Sequence, residues 1–219
     1  MPAKRHEKRT IDYLTHPEIE AVIAAPDLTT WHGRRDRTLL VLALQTGLRV
    51  SELINLSSRD VVLGRGAHVQ CLGKGRKERA TPIRKDSINV LRDWIIERGG
   101  KEAEPLFVSN RSERLSRDAV EQIVRKHVKA AARACPSLNR KRVTPHVLRH
   151  SAAMQLLQNG VDRTVIAVWL GHESVETTQM YIHADMKIKE RAMARTRPVA
   201  AKPGRYQPDD KLLAFLEGL

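Results

Sequence analysis

The chain has 219 residues and a formal charge of +14; 41% of its residues are hydrophobic and 29% charged. That composition can bury a core and is not that of a disordered chain, and the positive excess favours encounter with polyanions, nucleic acid first among them. No stretch approaches the roughly 18 apolar residues of a membrane span, and two cysteines, Cys71 and Cys135, make neither a disulfide framework nor a Cys-rich zinc site.

Both cysteines read as reduced thiols of a cytoplasmic protein. The start, MPAKRHEKRTIDYL, is basic but lacks the apolar stretch of a secretory signal, and residues 1–11 read as a basic arm. Thr15 followed by Glu18 has the pattern of a capping box, with Pro17 tolerated in the first turn. It opens a helix through PEIEAVIAA that Pro26 breaks. A long helix containing RTLLVLALQ stops before Gly47, which leaves Arg49 just past a helix end and ahead of a short helix through VSELINL. Glu52 either orients Arg49 or another basic group, or lies on the helix surface. DVVL, AHVQCL and ERATPI are short apolar runs separated by GRG and GKGRK, the pattern of antiparallel hairpins. Lys74 falls at the second turn, and Cys71 beside it reads as structural.

Asp86 to Arg98 returns to helical spacing through Ile88, Leu91 and Ile95, and stops at Gly99-Gly100. LFVS reads as one more short strand. Ser116 caps a helix over residues 117–134 with Val120, Ile123, Val124 and Val128 on one face. Thr144-Pro145 opens the helix that carries His146, Leu148 and Arg149 and ends at Asn159-Gly160. Asp162 caps RTVIAVWL, which stops at Gly171 with His172 next. SVETTQMYIH and residues 186–195 read as further helices. RPVAAKPGRYQP reads as a flexible connector and DDKLLAFLEGL as a final amphipathic helix. Trp94 and Trp169 fall at apolar helical spacing and belong to the core. The expected fold is mainly α with a small antiparallel β-sheet, an α+β class.

Cleaving a phosphodiester without a metal or other cofactor sets three demands. Charge growing on the non-bridging oxygens must be neutralised, a nucleophile must lie in line, and an acid must protonate the leaving oxygen. Arginine suits the first, because its planar fork binds two oxygens and keeps its charge; Arg49 and Arg149 are the candidates. Lys74 at a hairpin tip suits the acid. His146 sits one helical turn before Arg149 and shares its face. His172 follows a helix-ending glycine, and Tyr181 lies nine residues further on. Taken singly, each has a plainer explanation as a helix-end, surface or core residue. The joint pattern favours chemistry. Arg76, Lys77 and Arg79 beside Lys74, and the run Arg140, Lys141 and Arg142 before the histidine-bearing helix, are candidate DNA contacts. His150 and His183 read as supporting or surface groups.

TGLRVSEL, LGKGRKER, HVLRH, LGH and the tyrosine that follows resemble the tyrosine recombinase (phage integrase) family, its Xer-like branch in particular, over residues 12 to 185 and in the same order. The resemblance implies that Arg49 and Arg149 clamp the scissile phosphate. Lys74 acts as general acid toward the 5′ oxygen, His146 as acid or base, and His172 supports the transition state. Tyr181 attacks to give a 3′-phosphotyrosyl bond. It also implies double-stranded DNA as partner, no metal, and a dimer or tetramer on DNA joined through the C-terminal helix. Residues 12–197 would form the catalytic domain and 198–219 the connector and C-terminal helix. The N-terminal helical core-binding domain usual in the family is expected to be absent, the arm of residues 1–11 being too short to replace it. Two other readings stand beside a site-specific recombinase: a type IB topoisomerase-like enzyme, and a non-catalytic DNA-binding relic or regulator.

Overall fold

The structure, a computed structural model, describes residues 12–73 and 78–171. Helix α1 (His16–Ala24) begins where the Thr15 N–H donates to Glu18 Oε2 at 2.8 Å. Glu18 is buried and serves a second purpose. It accepts from Ser137 Oγ and from Lys141 Nζ, both at 2.6 Å, which ties α1 to the 3-10 turn Pro136–Arg140. Burial alone would raise the Glu18 pKa; the bonds from Lys141, Ser137 and Thr15 outweigh it and hold the carboxyl below its ordinary value.

Helix α2 (Trp31–Thr46) is the centre of the fold. Thr30 Oγ1 caps it by accepting the Gly33 N–H at 3.0 Å. Leu39 to Leu44 are buried in succession, and a helix apolar on every side belongs in the interior. It packs against α1, α4 and α6. Its first half holds charge instead. Arg35 donates to Asp36 Oδ1 through Nε (3.0 Å) and Nη2 (2.7 Å), and to the Val108 carbonyl through Nη1 (2.8 Å). Asp36 Oδ2 meets His127 Nε2 at 2.8 Å. All three residues are buried. Against the upward push of burial, the bonds from His127 and Arg35 leave Asp36 with a lowered pKa.

Helix α3 (Val50–Asn55) leads through a 3-10 turn into the antiparallel sheet β1 (Val61–Val62), β2 (His68–Leu72) and β3 (Glu78–Pro82), in the order β1-β2-β3. Val61 pairs with Val69, and Cys71 with Arg79. Buried Val69, Cys71 and Thr81 alternate with exposed Gln70, Leu72 and Pro82, the pattern of a sheet with one face on the core. Helix α4 (Lys85–Arg98) buries Leu91 and Trp94.

The expected strand LFVS does not form. Leu106 and Phe107 are buried, but the segment makes only isolated bridges, Ser57 with Pro105 and Val108 with Arg114. The reason is local. After the Leu106 N–H bonds to the Leu56 carbonyl (2.7 Å), the chain turns so that the Ser109 N–H meets the Glu113 carbonyl (2.7 Å). Side chains anchor the segment instead: Trp94 donates its indole N–H to the Leu106 carbonyl at 3.0 Å and stacks on Phe107.

Helix α5 (Arg117–Ala131) starts at Ser116, whose Oγ accepts the Ala119 N–H at 3.0 Å, and buries Val120, Ile123, Val124 and Val128 together. Helices α6 (Pro145–Gln158) and α7 (Arg163–Leu170) start at Thr144 and Asp162, whose side-chain oxygens accept the N–H groups of Val147 and Thr164. Met154, Leu157, Ile166 and Leu170 pack into a smaller apolar cluster joining the two helices. Trp169 is half-buried and donates to the Thr46 carbonyl at 3.1 Å. The expected arm of residues 1–11, the hairpin tip 74–77 and every element expected after Gly171 lie outside the described residues. No helix among the described residues is long and apolar enough to cross a membrane.

Candidate active site

Helices α2, α6 and α7 meet at Gly47. It ends α2 with φ 63° and ψ 26°, the left-handed conformation that glycine tolerates best. Its carbonyl accepts from Arg149 Nη1 at 2.6 Å, and Arg149 Nη2 donates to the Leu170 carbonyl at 2.7 Å. Arg149 is buried, like Val147 and Leu148 before it. Arginine at the carboxyl end of a helix satisfies carbonyls that lack an intrahelical partner and sits in the favourable end of the dipole.

Arg49 reaches the same helix end from the other side. It sits in extended conformation ahead of α3, and its Nη2 donates to the Gly171 carbonyl at 3.0 Å. The forks of Arg149 and Arg49, brought from α6 and the α2–α3 junction respectively, therefore hold consecutive carbonyls, those of Leu170 and Gly171. His172 is the next residue in sequence.

Glu52 fixes Arg49. Its Oε2 accepts the Arg49 N–H (2.7 Å) and its Oε1 accepts Arg49 Nη1 (3.0 Å). The same two oxygens accept Arg79 Nη2 (2.7 Å) and Nη1 (2.8 Å). Only 4% of the Glu52 side chain is exposed, so its place is within the cluster and not on the helix surface. Burial raises its pKa, but the bonds from Arg79 and Arg49 lower it further, and it stays ionised below the usual carboxylate range. Arg79, expected beside Lys74 as a DNA contact, thus shares a buried carboxylate with Arg49 inside the protein.

His146 is exposed on α6. Its ring lies 5.1 Å from that of His150, nearly perpendicular to it. Burial, with His146 and Arg149 adding to it, lowers the His150 pKa to about 4, so that ring is neutral at physiological pH. Cys71 borders the arginine cluster; burial pushes its thiol up to about 11, which keeps it unreactive.

Arg140 and Arg142 are exposed, whereas Lys141 Nζ is held by Glu18 and by the Tyr13 carbonyl at 2.8 Å. Lys74, Arg76, Lys77, His172, Tyr181 and His183 lie outside the described residues. Among the described residues no group of three or more His, Cys, Asp or Glu side chains is placed to hold a metal ion. The arrangement presents cations already oriented before any anion arrives, which is the condition under which charge stabilisation is strongest. The sequence places Arg79 among the candidate DNA contacts and does not name its pairing with Glu52. The signal was the period of ERATPI, which puts Arg79 on one strand face with Thr81 and Ile83. An inward arginine needs a carboxylate.

The model of the phage integrase family matches residues 12–187. The chain is 52% identical over 219 residues to a putative integrase/recombinase, y4rC, of Sinorhizobium fredii, covering 100% of this chain and 66% of that protein. It is 34% identical over 200 residues to the tyrosine recombinase XerC of Pelobacter propionicus, covering 91% of this chain and 64% of the relative. The chain thus spans just under two thirds of the length of these relatives. Among solved structures it is similar to the XerA recombinase (TM-score 0.71, 31% identity, covering 85% of this chain and 66% of that one). It is also similar to the XerH site-specific recombinase bound to palindromic difH substrate (TM-score 0.73, 26% identity, 88% and 55%).

Proposed function

The chain belongs to the phage integrase family, and from that premise we propose that it is the catalytic part of a site-specific DNA recombinase that breaks and rejoins duplex DNA through Tyr181. The observation that carries the reading is the convergence of Arg49 and Arg149 on the carbonyls of Leu170 and Gly171, one residue before His172. Two oriented forks are what a pentavalent phosphorane needs, since each keeps its charge at any working pH.

The Tyr181 oxygen attacks phosphorus and its proton passes to His146. The bond to the 5′ oxygen breaks, Lys74 protonates that oxygen, and a 3′-phosphotyrosyl bond remains. Arg49, Arg149 and His172 hold the non-bridging oxygens throughout. The reverse reaction with a new 5′ hydroxyl reseals the strand. No nucleotide is consumed, because the phosphotyrosyl bond retains the energy of the one that was broken. Residues 12–197 form the catalytic domain in this reading. The segment 198–219 joins protomers on DNA, and the cell compartment is the cytoplasm, in contact with the nucleoid. Arg76, Lys77, Arg140 and Arg142 reach the backbone around the scissile phosphate.

The test is covalent capture. The chain is incubated with duplexes of random sequence carrying a nick, so that cleavage releases a short fragment and traps the protein, and detergent-resistant adducts are recovered and sequenced. A Tyr181-dependent adduct on a restricted set of sequences is expected. No adduct from the wild type, or an equal yield from Tyr181→Phe, defeats the proposal, and adducts without sequence preference favour a topoisomerase-like enzyme instead.

A further inference from the structure

Arg79 occupies an inward position on β3, with 12% of its side chain exposed. Both terminal nitrogens grip Glu52, while its Nε is buried with no hydrogen-bond partner among the described residues. An unpaired buried donor is costly, so the side chain is not placed to satisfy all of its donors. It lies where Glu52 and Gly171 put it. The guanidinium rests against Gly171, where a Cβ would stand 2.7 Å from Nη1 and 3.1 Å from Cζ. Arg79 therefore touches both groups on which Arg49 leans, the Glu52 carboxylate and the residue whose carbonyl accepts from Arg49 Nη2.

Charge gives the arrangement its sense. Glu52 alone would aim Arg49 but also cancel it, leaving a neutral pair that does little for the extra charge that develops in the transition state. With Arg79 on the same carboxylate, the trio keeps a net single positive charge and Arg49 remains an effective clamp. We propose that Arg79 is the positioning residue of this site. It acts through Glu52 and Gly171 to aim Arg49 and to keep its charge available. The proposal rests on the phosphoryl-transfer reading given above. A lysine cannot replace the fork, because its single nitrogen does not span both carboxylate oxygens.

The experiment uses a duplex recovered by covalent capture and the full chain. At saturating DNA, Arg79→Met is expected to slow the cleavage step about a hundredfold, the scale of a misplaced catalytic group. DNA affinity should stay unchanged. Arg79→Lys, which folds more easily, should recover only part of that loss. With a methylphosphonate at the scissile position, the linkage carries no charge and the loss should shrink. A weaker affinity with a salt slope reduced by about one would assign Arg79 to a DNA contact and overturn the proposal. So would a lowered Tm with normal cleavage by the folded fraction. Side-chain NMR of ¹⁵N-arginine keeps the two readings apart. The Arg49 Nε–H resonance should move in Arg79→Met, and an unmoved resonance overturns the proposal whether or not the wild type cleaves. If it moves while the wild type makes no adduct, the positioning stands and the recombinase reading falls.

Discussion

Replacing Gly47 by alanine tests whether the junction of α2, α6 and α7 is as tight as the geometry says. The substitution meets two costs. The left-handed backbone at φ 63° costs a residue with a Cβ about 1 kcal/mol. The new Cβ would also lie 2.6 Å from Leu170 Cδ2 and 3.2 Å from the Ala152 Cβ. Leu170 is 0% exposed and cannot swing into solvent, so overpacking adds roughly 1–3 kcal/mol. The sum, roughly 2–4 kcal/mol, leaves a typical domain folded but visibly weakened. Gly66 supplies the comparison, since its φ is 74° and nothing stands within 4 Å of its Cβ position; Gly66→Ala should cost only about 1 kcal/mol. Urea unfolding of both variants measures the difference as a shift in midpoint at constant slope. Equal losses would refute the packing argument. Because the Gly47 carbonyl holds Arg149, Gly47→Ala should also lose cleavage in the folded fraction.

Acid should weaken the protein in a defined window. Glu18, Asp36 and Glu52 all have folded pKa values below their ordinary ones. Their contribution is therefore complete above the unfolded values, near pH 4, and drains away as pH falls toward the folded ones. A urea midpoint that stays constant from pH 6 to pH 3 would contradict this, and Asp36→Asn should flatten the decline. Asp36→Ala, which leaves Arg35 buried without its carboxylate, should cost about 3–5 kcal/mol in the same assay at neutral pH. Arg140→Ala and Arg142→Ala should each reduce the salt dependence of DNA binding by about one unit of slope, whereas Lys141→Ala should leave the slope unchanged and lower Tm, because Lys141 serves Glu18. In native protein Cys135 should react with a thiol reagent while Cys71, with its raised pKa and 7% exposure, reacts only after unfolding; fast labelling of both would speak against the packing of β2.

The helix starts were legible because they are local. Thr30 apart, each long helix with a side-chain cap begins at a residue marked in the sequence, namely Ser116, Thr144 and Asp162. The strands were legible because their alternation matches a sheet with one buried face. Long-range polar pairing was not. Asp36 and His127 are 91 residues apart, and Arg79 and Glu52 are 27 apart; hydrophobic spacing says nothing about which charged residues face inward together. LFVS misled because a short apolar run fits a strand and a buried anchor equally well, and only the turn toward Glu113 separates them. Arg49 and Arg149 are singled out by their motifs, while the carbonyls they hold depend on how α7 ends.

That helix end carries a mechanical consequence. The last two carbonyls of the α7 stop occupy the forks of Arg49 and Arg149 much as a pair of phosphate oxygens would. In the proposed reaction an arriving phosphate would compete with these carbonyls for the forks. Displacement of a fork would load the peptide that ends α7, because the two forks hold the consecutive carbonyls there. In the proposed reaction, substrate capture would thereby bear on the single peptide that closes α7.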